Sequence, residues 1–149
     1  MTKNEQTLPD HLGWRLWLAN RQWQARFVEA MRRAGHDWFT DARANLLGHI
    51  ARGGTPQAVV IARMGISKQA VQQLIDGLQG EGILERVPDP KDSRSRIVRH
   101  TAAGLRAMRD ADRIKREIEA GYHSLLGAEA FEALMRALRS MTDKAEDVE

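Results

Sequence analysis

The side chains with most to offer chemically are hydrogen-bonding amides and cations, gathered in two short stretches. Ser67, Lys68, Gln69, Gln72 and Gln73 lie within seven residues. Val71, Leu74, Ile75 and Leu78 recur at i, i+3, i+4 and i+7 in the same segment, the spacing of a helix with one apolar side. A step of about 100° per residue then places Gln69, Gln72, Gln73 and Asp76 on the outer side. A glutamine amide pairs bidentately with adenine, a lysine reaches guanine or phosphate, and a serine at a helix N-terminus helps hold a phosphate. The second stretch holds Lys91, Arg94 and Arg96. Cations on an extended finger can enter the narrow minor groove of A·T-rich duplex and use its negative potential. Asp92 is unfavourable beside phosphate if left unpaired, so its expected role is internal, holding an arginine or turn amides.

Other chemistries find little support. The 149 residues contain no cysteine, which removes disulfides, thiolate metal sites and redox-sensing thiols. His11, His36, His49, His100 and His123 show no metal-ligand spacing. No nucleophile elbow, phosphate loop or pairing of serine or carboxylates with histidine occurs, so neither an enzyme nor a cofactor is expected. Met1 to Pro9 is polar, no later run approaches the ~20 apolar residues of a membrane span, and a soluble cytoplasmic protein without membrane contact is expected. The formal net charge of +3 is modest, but Arg86 to Arg99 holds five basic residues against two acids. That local excess, rather than the total, points to a polyanion partner.

The elements that would position these groups follow from periodicity and punctuation. Leu16, Trp23, Phe27 and Met31, widened by Trp14, Trp17 and Val28, predict a long amphipathic helix over 12–34, ended by Gly35. These three tryptophans and Trp38 read as core or interface rather than as a ligand cage. Thr40 is expected to cap a helix over 41–51, and Thr55 to cap a short one running to Met64 with Pro56 at its first position. Gly65 makes the turn, and Ser67 caps the helix that carries the glutamines. Ile83 to Val87, a turn over 88–94 and Ser95 to His100 predict a hairpin. Thr101 caps a long helix with Leu105, Met108, Ile114, Ile118 and Leu125. Gly127 separates it from a last one with Phe131, Leu134, Met135, Leu138 and Met141. Short helix, tight turn, capped helix and basic hairpin, in that order, predict a mainly α fold with a small β-hairpin wing, a winged helix-turn-helix.

At this level the sequence resembles a known family. Val60 to Val71, continued by Leu74-Ile75-Asp76-Gly77-Leu78, is similar to the recognition-helix region of the multiple-antibiotic-resistance-regulator (MarR) family. Gly82 to Arg94, with its Asp92-Ser93-Arg94 tip, resembles that family's wing, and Thr101-Ala102-Ala103-Gly104 its Thr-x-x-Gly. The resemblance implies one MarR-type domain over 1–149, with dimerisation helices at 1–35 and 102–149 and a DNA-binding region at 40–101. It implies a homodimer on a pseudo-palindromic operator in double-stranded DNA, acting as a transcriptional repressor relieved by a small ligand, for which an aromatic or phenolic anion is the expectation. Ser67, Lys68, Gln69, Gln72, Gln73, Lys91, Arg94 and Arg96 are the expected DNA contacts. Ile61 stands where the family has a small alanine, and His100 where it has leucine before Thr101. The histidine either puts a titratable group near the ligand region or caps the strand. A winged-helix module for protein or RNA contact is the alternative; equal affinity for unrelated duplexes, or a preference for RNA, would mark it.

Overall fold

The structure, a computed structural model, describes residues 8–143. Nine elements follow in order: α1 (Leu12–Arg33), α2 (Asp41–Leu47), β1 (Thr55–Pro56), α3 (Gln57–Met64), α4 (Lys68–Gly80), β2 (Leu84–Asp89), β3 (Asp92–His100), α5 (Ala102–Leu126) and α6 (Ala128–Asp143). The strands form one antiparallel sheet in the order β1-β3-β2. The chain divides into two compact units, one up to Ala111 and one from Asp112.

The first unit is organised around a core to which nearly every element contributes. Phe27 and Met31 of α1, Phe39, Leu46 and Leu47 from the α2 region, Val60 of α3, and Val71, Ile75 and Leu78 of α4 are buried. Ile83, Leu84 and Val98 from the hairpin and Ala107 and Ala111 of α5 complete it. Aromatic edges bind part of this core: Phe27 meets Phe39 edge to face at 5.1 Å, and Trp23 and Trp38 flank that pair. Trp14 and Trp17 instead stack on each other at 5.1 Å, with Arg21 over the Trp17 ring, and Trp17 stays exposed. The aromatic stripe of α1 is therefore core at one end only. In the second unit, the rest of α5 is joined through Gly127, at φ 82, to α6, none of whose residues is buried.

Three local expectations need correction. Thr55 does not cap α3: its hydroxyl accepts a hydrogen bond from the Ala51 amide at 2.9 Å, while its backbone pairs with Val98 as the first residue of β1. Pro56 takes the N-cap place instead, and α3 starts without a side-chain cap. A two-residue strand has no alternation to read, so the third strand left no mark in the sequence. Second, α2 stops at Leu47, and Ile50 reaches the core from turns closed by the His49 and Ile50 amides on Leu46 and Leu47. Third, the hairpin strands run further toward the tip than expected, leaving only Pro90 and Lys91 between them.

Candidate nucleic-acid interface

The glutamine helix is set by its ends. Gly65 lies at φ 66, a left-handed conformation that suits glycine, and turns the chain sharply from α3 toward α4. Ser67 then caps α4 by accepting from the Ala70 amide at 3.1 Å. With Val71, Ile75 and Leu78 fully buried, Ser67, Lys68, Gln69 and Gln73 are exposed. Gln72 is half-buried on the flank of the helix, and Leu74 lies at the edge of the inner face. The outward face is thus centred on Gln69 and Gln73, with Asp76 beside them.

α4 is held from behind as well. The Arg43 guanidinium of α2 donates to the Trp38 carbonyl at 3.0 Å and lies 3.9 Å from the Glu81 carboxylate. It passes so close to Gly77 that a β-carbon there would stand 2.7 Å from its Nη2. A glycine in mid-helix costs stability of about 1 kcal/mol relative to alanine. Here its missing side chain makes room for the arginine.

The wing tip is built from two carboxylates that serve the backbone. Asp89 accepts from the Lys91 amide at 2.9 Å and Asp92 from the Arg94 amide at 3.0 Å. The acid of the Asp-x-Arg tip therefore has the internal role expected of it. Opposite positions run regularly from Leu84–His100 to Pro88–Arg96, then jump to Asp89–Asp92. Ser93, Arg94 and Ser95 consequently bulge out of β3 with Arg94 in the middle, a geometry that re-aims a side chain away from the ladder. Lys91, Arg94 and Arg96 are exposed, and their side chains pair with no acid among the described residues.

Arg86, which the residue chemistry alone did not single out, and Thr101, read from the sequence as the cap of the long helix, join the wing to its surroundings. Arg86 on β2 donates through Nε to Gln57 of α3 at 2.7 Å and through Nη1 to Gln79 of α4 at 2.7 Å. The same Nη1 lies 2.7 Å from the Asp76 carboxylate. Thr101 caps α5 by accepting from the Gly104 amide at 3.0 Å while its hydroxyl donates to the Gly82 carbonyl. A β-carbon at Gly104 would run into the Ile83 carbonyl oxygen, so Thr-x-x-Gly here is a clamp between the start of β2 and the start of α5. The signal for Arg86 was present only as a basic residue among others, because its partners come from two helices distant in sequence.

His100 closes β3 inside the core. Its ring hydrogen-bonds to the Ile50 backbone, while Nδ1 has no partner among the described residues. Burial pushes its pKa below the ordinary 6.5, and the bond to Ile50 counters part of that shift. Among the described residues no group of His, Asp or Glu is placed to hold a metal, and no helix is long and apolar enough to cross a membrane.

Residues 39–95 match the MarR family model. No curated protein matches in sequence. Among solved structures, MarR from E. coli in its apo form superimposes with a TM-score of 0.74 at 20% identity, covering 91% of this chain and 99% of its own. A mutant of E. coli MarR complexed with operator DNA gives 0.72 at 20% identity, covering 88% and 93%. A probable transcriptional regulator from Pseudomonas aeruginosa gives 0.68 at 25% identity, covering 89% and 97%. The fold is that of MarR, mainly helical with a small winged sheet.

Proposed function

We propose, from the match of residues 39–95 to the MarR family model and from the MarR fold, that the protein is a sequence-specific double-stranded-DNA-binding transcriptional regulator rather than an enzyme. The observation that carries this reading is the pairing of a capped helix whose exposed face bears Gln69 and Gln73 with an adjacent hairpin whose exposed Lys91, Arg94 and Arg96 side chains pair with no acid among the described residues. The helix suits base edges in the major groove, and the bulged Arg94 suits the minor groove. A solved MarR structure in complex with operator DNA shares this fold, which supports the same mode of docking.

The reading extends to a homodimer on a pseudo-palindromic operator, with Ser67 and Lys68 on phosphate or guanine and Gln69, Gln72 and Gln73 on bases. Exposed Leu12, Leu16 and Trp17 on α1, and Leu134 and Met141 on an α6 without buried residues, supply apolar surface for a second copy. A small aromatic or phenolic anion would relieve repression. A groove of about 590 Å³ beside α1 has the size for such a ligand; its wall carries Arg32, which donates to the Phe39 carbonyl, and Arg33, which is paired with Glu29. Competition binding tests the core of the proposal: one duplex sequence should be held at salt concentrations where random duplex and RNA no longer compete. Equal affinity for unrelated duplexes, or a preference for RNA, would overturn it.

A further inference from the structure

Asp76 is a carboxylate on the same outer side of α4 as Gln69 and Gln73, where an unpaired negative charge would face DNA phosphate. Its side chain is 66% exposed, yet it is engaged: Oδ1 lies 2.7 Å from Nη1 of Arg86, whose own side chain is only 20% exposed. The same guanidinium donates to Gln57 at the start of α3 and to Gln79 near the end of α4. One side chain on the wing strand β2 therefore spans both helices of the helix-turn-helix. Arginine alone offers this: a planar fork can serve three acceptors in fixed directions, whereas a lysine is a single point charge.

We propose that Arg86 is a positioning residue that fixes the wing against α4 and withholds the Asp76 carboxylate from DNA, so that helix and wing contacts form together in one register. The proposal rests on the DNA-binding reading above. Arg86 itself touches no base or phosphate in this proposal, because its Nε and Nη1 face Gln57, Gln79 and Asp76 and its side chain is only 20% exposed. Its loss acts twice, freeing the wing to change its angle and exposing a charge that repels the ligand.

The test is a double-mutant cycle with Arg86→Gln, Asp76→Asn and the double variant, read as affinity for the selected duplex and for random duplex. Arg86→Gln should lose about tenfold or more for the selected duplex, in line with the cost of leaving a charged partner unpaired. Adding Asp76→Asn should restore most of the affinity for random duplex, since the repelling charge is gone, but little of the discrimination, since the wing is still free. Arg86→Lys should keep affinity for random duplex and lose discrimination. If Asp76→Asn rescues nothing and the two losses simply add, Arg86 is a direct DNA contact and the proposal is wrong. Residual dipolar couplings of the DNA-free protein supply a readout independent of DNA: the wing should reorient relative to α4 in Arg86→Gln and stay put in Asp76→Asn. An unchanged orientation in Arg86→Gln overturns the positioning role. Reorientation in a protein whose wild type prefers no duplex would uphold that role and overturn the DNA-binding reading instead.

Discussion

The contacts proposed for Arg94 and Gln69, and the titration of His100, can each be isolated by a single substitution. The Arg94 side chain pairs with no acid among the described residues and stands in the middle of the wing bulge. Arg94→Ala should weaken binding several-fold or more and flatten preference at flanking A·T positions, while Arg94→Lys should recover charge but only part of that preference. Binding of both variants to A·T-rich and G·C-rich flanks over a salt series checks this; equal losses on both flanks would make Arg94 a phosphate clamp. Gln69→Ala should cost ~1 to 3 kcal/mol at particular base pairs and nothing in stability, because the residue is exposed. Gln72 is half-buried, so its replacement will mix packing with recognition. His100 yields a pH dependence. Its folded-state pKa lies below the ordinary 6.5 because burial disfavours the imidazolium. The unfolded chain therefore binds the proton more readily, and the stability held above 6.5 is lost as pH falls below that value, until the folded-state histidine also protonates. Denaturant unfolding of wild type and His100→Leu from about pH 5 to 7.5 should show the acid-side decline reduced in the variant. Parallel curves would mean that His100 titrates normally.

At the scale of elements, what the sequence disclosed and what it hid divide along one line. Local signals were legible: Gly65 and Ser67 bracket the turn and the cap of α4, Gly127 parts α5 from α6, and Asp92 binds the Arg94 amide. Groups whose partners lie far along the chain were not. Thr55 has the residue type of a cap and sits where one is wanted, yet β3 claims its backbone and the Ala51 amide its hydroxyl. Arg86 looked like one more cation of a basic stretch until Gln57, Asp76 and Gln79 were placed around it. The Thr101 clamp gives the most direct test at this scale. Gly104→Ala drives a methyl into the Ile83 carbonyl, and the overpacking should cost about 1 to 3 kcal/mol. Thr101→Ala should cost about 1 kcal/mol by removing the cap. Urea unfolding measures both, and a Gly104→Ala protein as stable as wild type would refute the close approach.

The whole molecule carries, besides the proposed reading surface in the first unit, exposed apolar side chains on α1 and on α6 of a kind that a monomer rarely leaves uncovered. Sedimentation at low concentration should therefore find a dimer, and a folded monomer would contradict that part of the proposal. Two-fold symmetry would carry over to the DNA, because two reading heads on one face of a duplex need half-sites about one helical turn, or ~10 base pairs, apart. Selection of bound sequences from a pool of random duplexes, at a fixed salt concentration, is the decisive experiment on operator recognition. The pool should converge on an inverted repeat with that spacing and A·T-rich positions flanking each half. A pool that stays random after repeated rounds, while the folded protein binds every duplex alike, would contradict it.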